Sequence, residues 1–255
     1  MKHIASRDNV TYKHLQRLVD GKRRGEVILE GVHLCQEWLR HRGEPNLALF
    51  DSDRLAKSSE LLALADAVPP ASRVTCEPAL MRSLSQVDHG QGVYFVATLH
   101  EPEKPDHITQ NCLWLDRVQD PGNMGTLLRT AAAAGVIQIY LSSGCVSAWS
   151  PKVLRSAQGA HFALTLFEHM DLVQLREQLD VPLVATALTR GISLYKVALP
   201  ACCAWLVGNE GQGVAPDLLA LADLNVFIPQ APGVESLNVA VAAAICLFEQ
   251  RRRYS

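Results

Sequence analysis

From residue 26 to residue 99 short apolar runs alternate with helical patterns. "EVILEGV", "LALF", "RVTCE" and "GVYFVATL" read as strands, and helices are expected through "HLCQEWLRH", near Glu60–Ala67 and near Pro78–Gln86. This pattern predicts an α/β unit spanning residues 1–100. The run "EPEKPDHITQN" (101–111) has two prolines, alternating charge and no hydrophobic period, so it reads as a linker. A second α/β unit is expected over 112–255, with strands at "CLWLDRV", "IQIYLS", "PLVATAL", "CAWLVGN" and "NVFIPQ". Helical patterns over Gly125–Ala134 and Leu172–Leu179 separate some of these strands. Such alternation argues for a mostly parallel sheet covered on both faces.

The strongest apolar run, Val239–Phe248, comes almost last and follows Ser-Leu-Asn. It is expected to be a helix, and an ordinary core helix has nearly this composition. No apolar run reaches the ~18 residues of a membrane span, and "MKHIASRDNV" lacks a secretory apolar segment, so a cytoplasmic, membrane-free protein is expected. With 48% hydrophobic residues the chain has ample material for cores. Seven cysteines without a CxxC pair argue against a disulfide framework and against a cysteine zinc site; no metal is expected.

Charge changes the picture at the amino terminus. Residues 1–25 carry Lys2, Arg7, Lys13, Arg17, Lys22, Arg23 and Arg24 against Asp8 and Asp20, a net +5 in a chain of net charge −2. A basic arm on an otherwise mildly acidic chain suits phosphate contacts, with Arg7, Lys13, Arg17, Lys22 and Arg23 as candidate RNA-binding residues. A solvated helix face is the alternative.

Ligands in parallel α/β sheets lie beyond the carboxyl ends of the strands. Three loops stand there: "DPGNMGTLLRT" (120–130), "VGNEGQGV" (207–214) and "IPQAPGVESLN" (228–238). None matches GxxxxGK[ST] or GxGxxG, and the chain has no His-Glu-x-x-His helix or Gly-x-Ser-x-Gly elbow, which removes the usual support for nucleotide, metalloprotease and hydrolase readings. In the first loop Asn123 is expected to cap a helix on which Gly125 precedes Arg129 by one turn, leaving a bare face along which the guanidinium could lie. Taken one at a time, Arg129 could be a surface residue, Glu210 a turn carboxylate and Ser236 a helix cap.

Together the three loops resemble the three motifs of the SpoU-type (TrmH-like) RNA ribose 2'-O-methyltransferases of the SPOUT superfamily. The first has Asn and Arg six apart, as Asn123 and Arg129; the second is a strand ending in Gly-x-Glu-Gly, as "VGNEGQG"; the third is Ser-Leu-Asn before a small-residue helix, as "SLNVAVAAAI". The likeness runs from Cys112 to the carboxyl terminus and includes the connection "SPKVLRSAQGAHF". "IASRDNVTYKHLQRL" is similar to the amino-terminal substrate-binding domain of rRNA-modifying relatives, with Val10 in place of their usual proline.

The resemblance implies a carboxy-terminal parallel-sheet methyltransferase domain with a deep trefoil knot, an exception to unthreaded chains, and a smaller amino-terminal α/β RNA-binding domain. It implies a homodimer that uses S-adenosyl-L-methionine, held by backbone near Thr186, Ala187, Leu188, Gly208, Ile228 and Leu237. The substrate would be a ribose 2'-hydroxyl of structured RNA, 23S rRNA being favoured over tRNA by the added domain; a non-catalytic RNA-binding protein is the rival. Arg129 would be the essential residue, oriented with the ribose by Asn123, Ser236 and Asn238, and Glu210 would fix the second loop or the arginine. A guanidinium is a poor base. Either its site deprotonates it, or it anchors an RNA phosphate that takes the proton, and the second account needs no large pKa shift.

Overall fold

A computed structural model of the chain describes residues 1–21, 25–87, 90–187 and 191–254. They fall into two compact units, residues 1–100 with 149–154, and residues 101–148 with 155–255. The second unit therefore starts earlier than the sequence pattern suggests. Ile108 is 1% exposed in its core, and the Ile108 backbone bonds Gln178 and Asp180, so the end of 101–111 is built into this unit rather than free as a linker.

The first unit contains β1 (Lys2–Ile4), α1 (Val10–Val19), β2 (Glu26–Glu30), α2 (Val32–Arg42) and β3 (Leu47–Asp51), followed by α3 (Ser52–Leu55), α4 (Ser59–Asp66), β4 (Arg73–Cys76), α5 (Pro78–Leu84) and β5 (Val93–Thr98). Its sheet runs β1-β4-β3-β5-β2, with β5 antiparallel to both neighbours. The Asn9 side chain accepts from Thr11 N and Tyr12 N to start α1, so Lys13 and Arg17 follow in the next turns while Tyr12, Leu15 and Leu18 face the core.

The second unit contains β6 (Cys112–Leu115), α6 (Pro121–Ala134), β7 (Gln138–Ser142) and β8 (Thr165–Met170), with α7 (Pro151–Ala157) crossing the division between units. There follow α8 (Leu172–Leu175), β9 (Leu183–Thr186), β10 (Ile192–Ser193), β11 (Ala204–Val207), α9 (Pro216–Leu221), β12 (Leu224–Phe227) and α10 (Val239–Tyr254). The sheet is parallel throughout, in the order β10-β12-β9-β11-β6-β7-β8. Every residue of "CLWL" and "AWLV" is buried, as central strands covered on both faces require. The aromatic residues knit one face: Tyr140 stacks on Phe167 at 4.6 Å and meets Trp114 edge-on at 6.4 Å.

Two helix starts differ from the sequence reading. Asp120, not Asn123, caps α6, accepting the Asn123 N–H at 2.7 Å, and Pro121 occupies the first helical position. Proline there gives up no intrahelical bond, so the helix begins four residues before Gly125. Asn238 rather than Ser236 caps α10, its Oδ1 accepting from Ala240 N and Val241 N. Within the single chain α10 has two unlike faces. It buries Ala240, Ala243, Cys246, Leu247 and Gln250, while Val241 and Phe248 are 48% and 45% exposed on another face and the last turn carries Arg251–Arg253. Packing against α6 covers one stripe only, a bond from Arg251 Nη1 to Ala133 O securing its end.

Candidate active site

Strands β9, β11, β6 and β7 lie side by side, and the chain leaves β6 toward β7 while β11 and β9 lie on β6's other edge. The loops from β6 and β11 therefore emerge together at the carboxyl edge, where the order of the sheet reverses.

The loop after β11 is a tight return. Asn209 and Gly213 exchange backbone bonds at 3.0 and 2.9 Å, and Asn209 Oδ1 accepts from Gly211 N and Gln212 N. This fold-back covers Gly208, where a Cβ would lie 2.2 Å from Gly213 C and Val214 N, so only glycine fits. At the tip, the Glu210 carboxylate accepts from Asp120 N (3.2 Å), Gln119 N (3.4 Å) and Asn123 Nδ2 (3.2 Å). Partial burial pushes that carboxyl up, but the bonds from its own N–H, from Asn123 and from the backbone of Asp120 and Gln119 outweigh it and hold the group below its ordinary value. An anion at the amino end of α6 also meets the positive end of the helix dipole.

Asn123 carries the linkage onward. Its Oδ1 accepts from Asn238 Nδ2 at 2.8 Å, and Asn238 in turn caps α10. One hydrogen-bonded chain, Glu210–Asn123–Asn238, thus joins all three loops. Because Asp120 does the capping, the Asn123 side chain is free for this work.

Arg129 is exposed on α6, and none of the hydrogen bonds or ion pairs among the described residues ends on it. The bare glycine face expected beside it does not exist. A Cβ on Gly125 would sit 1.7 Å from Ser156 Oγ and 2.7 Å from Ala157 N, because the end of α7 packs there, with Ser156 Oγ donating to Pro121 O and Gly122 O. Gly125 serves close helix packing, and the freedom of Arg129 comes from exposure instead. Ser236 is exposed in the third loop and joins no hydrogen bond among the described residues.

Of the residues expected to hold a cofactor, Thr186, Ala187, Ile228 and Leu237 are half-buried and Gly208 is buried, at the end of β9 and on the loops after β9, β11 and β12. None carries a charge, which suits recognition of a neutral purine by main-chain groups. Gln230 Oε1, in the loop after β12, is buried without a partner, an acceptor that an amino group would satisfy. The donor set fits an adenosyl group of this kind. Leu188 lies outside the described residues, as do Lys22 and Arg23. In the first unit Arg7, Lys13 and Arg17 are exposed, and Lys13 and Arg17 line a groove of about 320 Å³ with Gln16 and Ser83.

Asp116, Arg117 and Asn209 were not singled out by sequence. Asp116 is 3% exposed and accepts from Arg117 Nε and Nη2 and from Ala215 N. The Asn-Glu-Gly turn after an apolar strand was a signal for Asn209, and Asp-Pro at 120–121 was one for the cap; a buried aspartate at a strand end has none.

Comparison with known proteins follows this geometry. The model of the SpoU rRNA Methylase family matches residues 110–248. The chain is 34% identical, across 98% of its length and the whole of the relative, to the 23S rRNA (guanosine(2553)-2'-O)-methyltransferase RlmP of Bacillus subtilis. It is 36% identical to an uncharacterized tRNA/rRNA methyltransferase of Synechocystis sp. over 98% of this chain and 93% of the other. The AdoMet-bound crystal structure of an rRNA methyltransferase from Sinorhizobium meliloti superposes with a TM-score of 0.85 at 25% identity, covering all of this chain and 98% of that one. With the family model spanning more than half the chain and full-length relatives above 30% identity, the chain belongs to the SpoU rRNA Methylase family.

Proposed function

We propose that the protein transfers a methyl group from S-adenosylmethionine to a ribose 2'-hydroxyl of 23S rRNA in the cytoplasm. The observation that carries this reading is the Glu210–Asn123–Asn238 chain, which holds the three loops of the site together at the start of α6, the helix on which Arg129 is exposed and unpaired among the described residues. The relative from Bacillus subtilis bears the same reaction and the same RNA in its name.

When bound, S-adenosylmethionine supplies a methyl group already activated on a sulfonium. Backbone around Thr186, Ala187, Leu188, Gly208, Ile228 and Leu237 would hold it, with Gln230 Oε1 accepting from an amino N–H. The remaining tasks belong to the chain: align the 2'-hydroxyl and remove one proton. Asn123, Asn238 and Ser236 orient the ribose. Arg129, with its planar fork of donors, anchors the neighbouring phosphate, which takes the proton. Glu210 acts on geometry rather than as a base, because its hydrogen bonds favour the charged form and donors from Gln119, Asp120, Asn123 and Asn209 occupy the oxygens.

Residues 1–100 form the RNA-binding part and residues 112–255 the methyltransferase part, the connecting segment 101–111 belonging with the latter. Arg7, Lys13, Arg17, Lys22 and Arg23 contact RNA phosphates, the Lys13–Arg17 groove being the described portion of that surface. The last helix passes through a deep trefoil knot, and the exposed Val241 and Phe248 meet a second copy in a homodimer.

Titration calorimetry with S-adenosylmethionine, followed by mapping of 2'-O-methyl positions in 23S rRNA from a deletion strain, tests the proposal. Saturable binding and one missing methyl group are expected. Intact 23S rRNA methylation with a missing tRNA mark would move the substrate to tRNA, and absence of cofactor binding would leave a non-catalytic RNA-binding protein.

A further inference from the structure

We propose that Arg117 is a positioning residue whose guanidinium locks the Asn209–Gly213 loop in the shape that binds S-adenosylmethionine. The proposal rests on the functional reading above and adds a residue that none of the three sequence motifs contributed.

The backbone is the first sign. Arg117 has φ 54°, a left-handed conformation that is unfavourable for a non-glycine residue. Glycine would relieve that cost, so the arginine side chain should supply something in return. Its path is cleared by Gly144, where a Cβ would come within 2.7 Å of Arg117 Cγ.

The contacts of the guanidinium give the reason. Nε and Nη2 grip the two oxygens of buried Asp116 at 3.0 and 3.1 Å, a forked geometry that leaves little rotational freedom. From that fixed base Nη1 donates to Gln212 Oε1 at 2.8 Å and Nη2 to Gly213 O at 3.4 Å. The main chain of the same residue completes the hold, its carbonyl accepting from Asn209 Nδ2 at 2.9 Å and its N–H donating to Ser142 Oγ at 2.9 Å. Asp116 Oδ2 adds a bond from Ala215 N at 2.9 Å. Two adjacent residues at the end of β6 therefore pin Asn209, Gln212, Gly213 and Ala215.

What lies inside this clamp is the part of the site most sensitive to shape. Gly208 is the floor of the loop, in contact with Gly213 and Val214, and Glu210 is its tip, aimed at the amino end of α6. A shift of the loop would move both together. Ion pairs with a buried partner are weak sources of stability because desolvation offsets attraction. The effect of the pair falls on geometry.

Arg117→Gly keeps the left-handed backbone and removes the guanidinium, and Arg117→Lys keeps a charge but not the fork. Calorimetry at 25 °C should show the S-adenosylmethionine Kd raised about ten-fold in each variant, equivalent to about 1.4 kcal/mol, with the KM for RNA within about two-fold of wild type. In the free protein, hydrogen exchange at the Gly211, Gln212 and Gly213 amides should speed up while β6 and β11 stay protected. Wild-type Kd and exchange in the lysine variant would overturn the proposal. So would a lower melting temperature with unchanged Kd, which makes Arg117 a stabiliser only, or a raised RNA KM at unchanged Kd, which makes it an RNA contact. If the wild-type protein binds no S-adenosylmethionine the functional reading fails, and unaltered exchange in both variants would then overturn the clamp by itself.

Discussion

Asn238 donates its side-chain amide to Asn123 Oδ1 at 2.8 Å, linking residues 115 positions apart in the chain. Asn123 uses the other end of its amide on Glu210, so its side chain is the hinge pin of the site. A side chain that must both donate and accept at fixed positions has few substitutes.

Asn123→Asp keeps the size and the acceptor but places a carboxylate against Glu210. Single-turnover methylation should fall about a hundred-fold or more, and chemical denaturation should show a loss of about 1–3 kcal/mol from the unpaired groups. Activity near wild type would mean that the three loops hold their places without this link.

Arg129 is exposed and unpaired among the described residues, so Arg129→Ala should leave stability within about 0.5 kcal/mol of wild type while abolishing methyl transfer. Arg129→Lys separates charge from shape. Forked anchoring of a phosphate predicts that lysine loses most of the rate, as alanine does, and turnover close to wild type in the lysine variant would refute it.

Gly125→Ala improves helix propensity and should nonetheless destabilise the protein. Its Cβ would lie 1.7 Å from Ser156 Oγ and 2.7 Å from backbone at Ala157, so α6 and α7 must part. Overpacking of this kind costs about 1–3 kcal/mol, measurable as a lower urea midpoint. A stabilised variant would show that the helices can separate freely.

His161 sets a pH dependence. It is fully buried, the neutral imidazole donates through Nε2 to Ala148 O at 2.6 Å, and burial lowers its pKa from 6.5 to about 4. Between those values the unfolded chain binds the proton and the native one does not. This contribution is therefore complete above pH 6.5 and declines as pH falls toward 4, by at most about 3 kcal/mol. Denaturation midpoints for wild type and His161→Phe across pH 4–7 check it, the gap in slope between the two isolating the imidazole.

Much of this was open to reading in the chain itself. The strands "CLWL" and "AWLV" and the three loops were recognisable because buried strands are continuous apolar runs, and turn residues mark where they stop. Family membership followed from the order of Asn123, Arg129, Glu210, Ser236 and Asn238 along the chain. Local spacing has no access to what happens across it. Whether Asn123 caps a helix or reaches Glu210 depended on Asp120 taking the cap, and whether Gly125 was bare depended on Ser156 arriving from α7. β8 went unread because "TLFEHM" is neither a continuous apolar run nor an alternating one, and Arg117 because its partners Gln212 and Gly213 lie 95 and 96 residues away. The apolar run of α10 likewise named a helix without naming its faces: Ala240 and Phe248 both count as apolar in the pattern, and only packing against α6 decided that the smaller is buried and the larger left for solvent or a second chain. Sequence period records which residues prefer to leave water, whereas the partner each one meets is set by the fold as a whole.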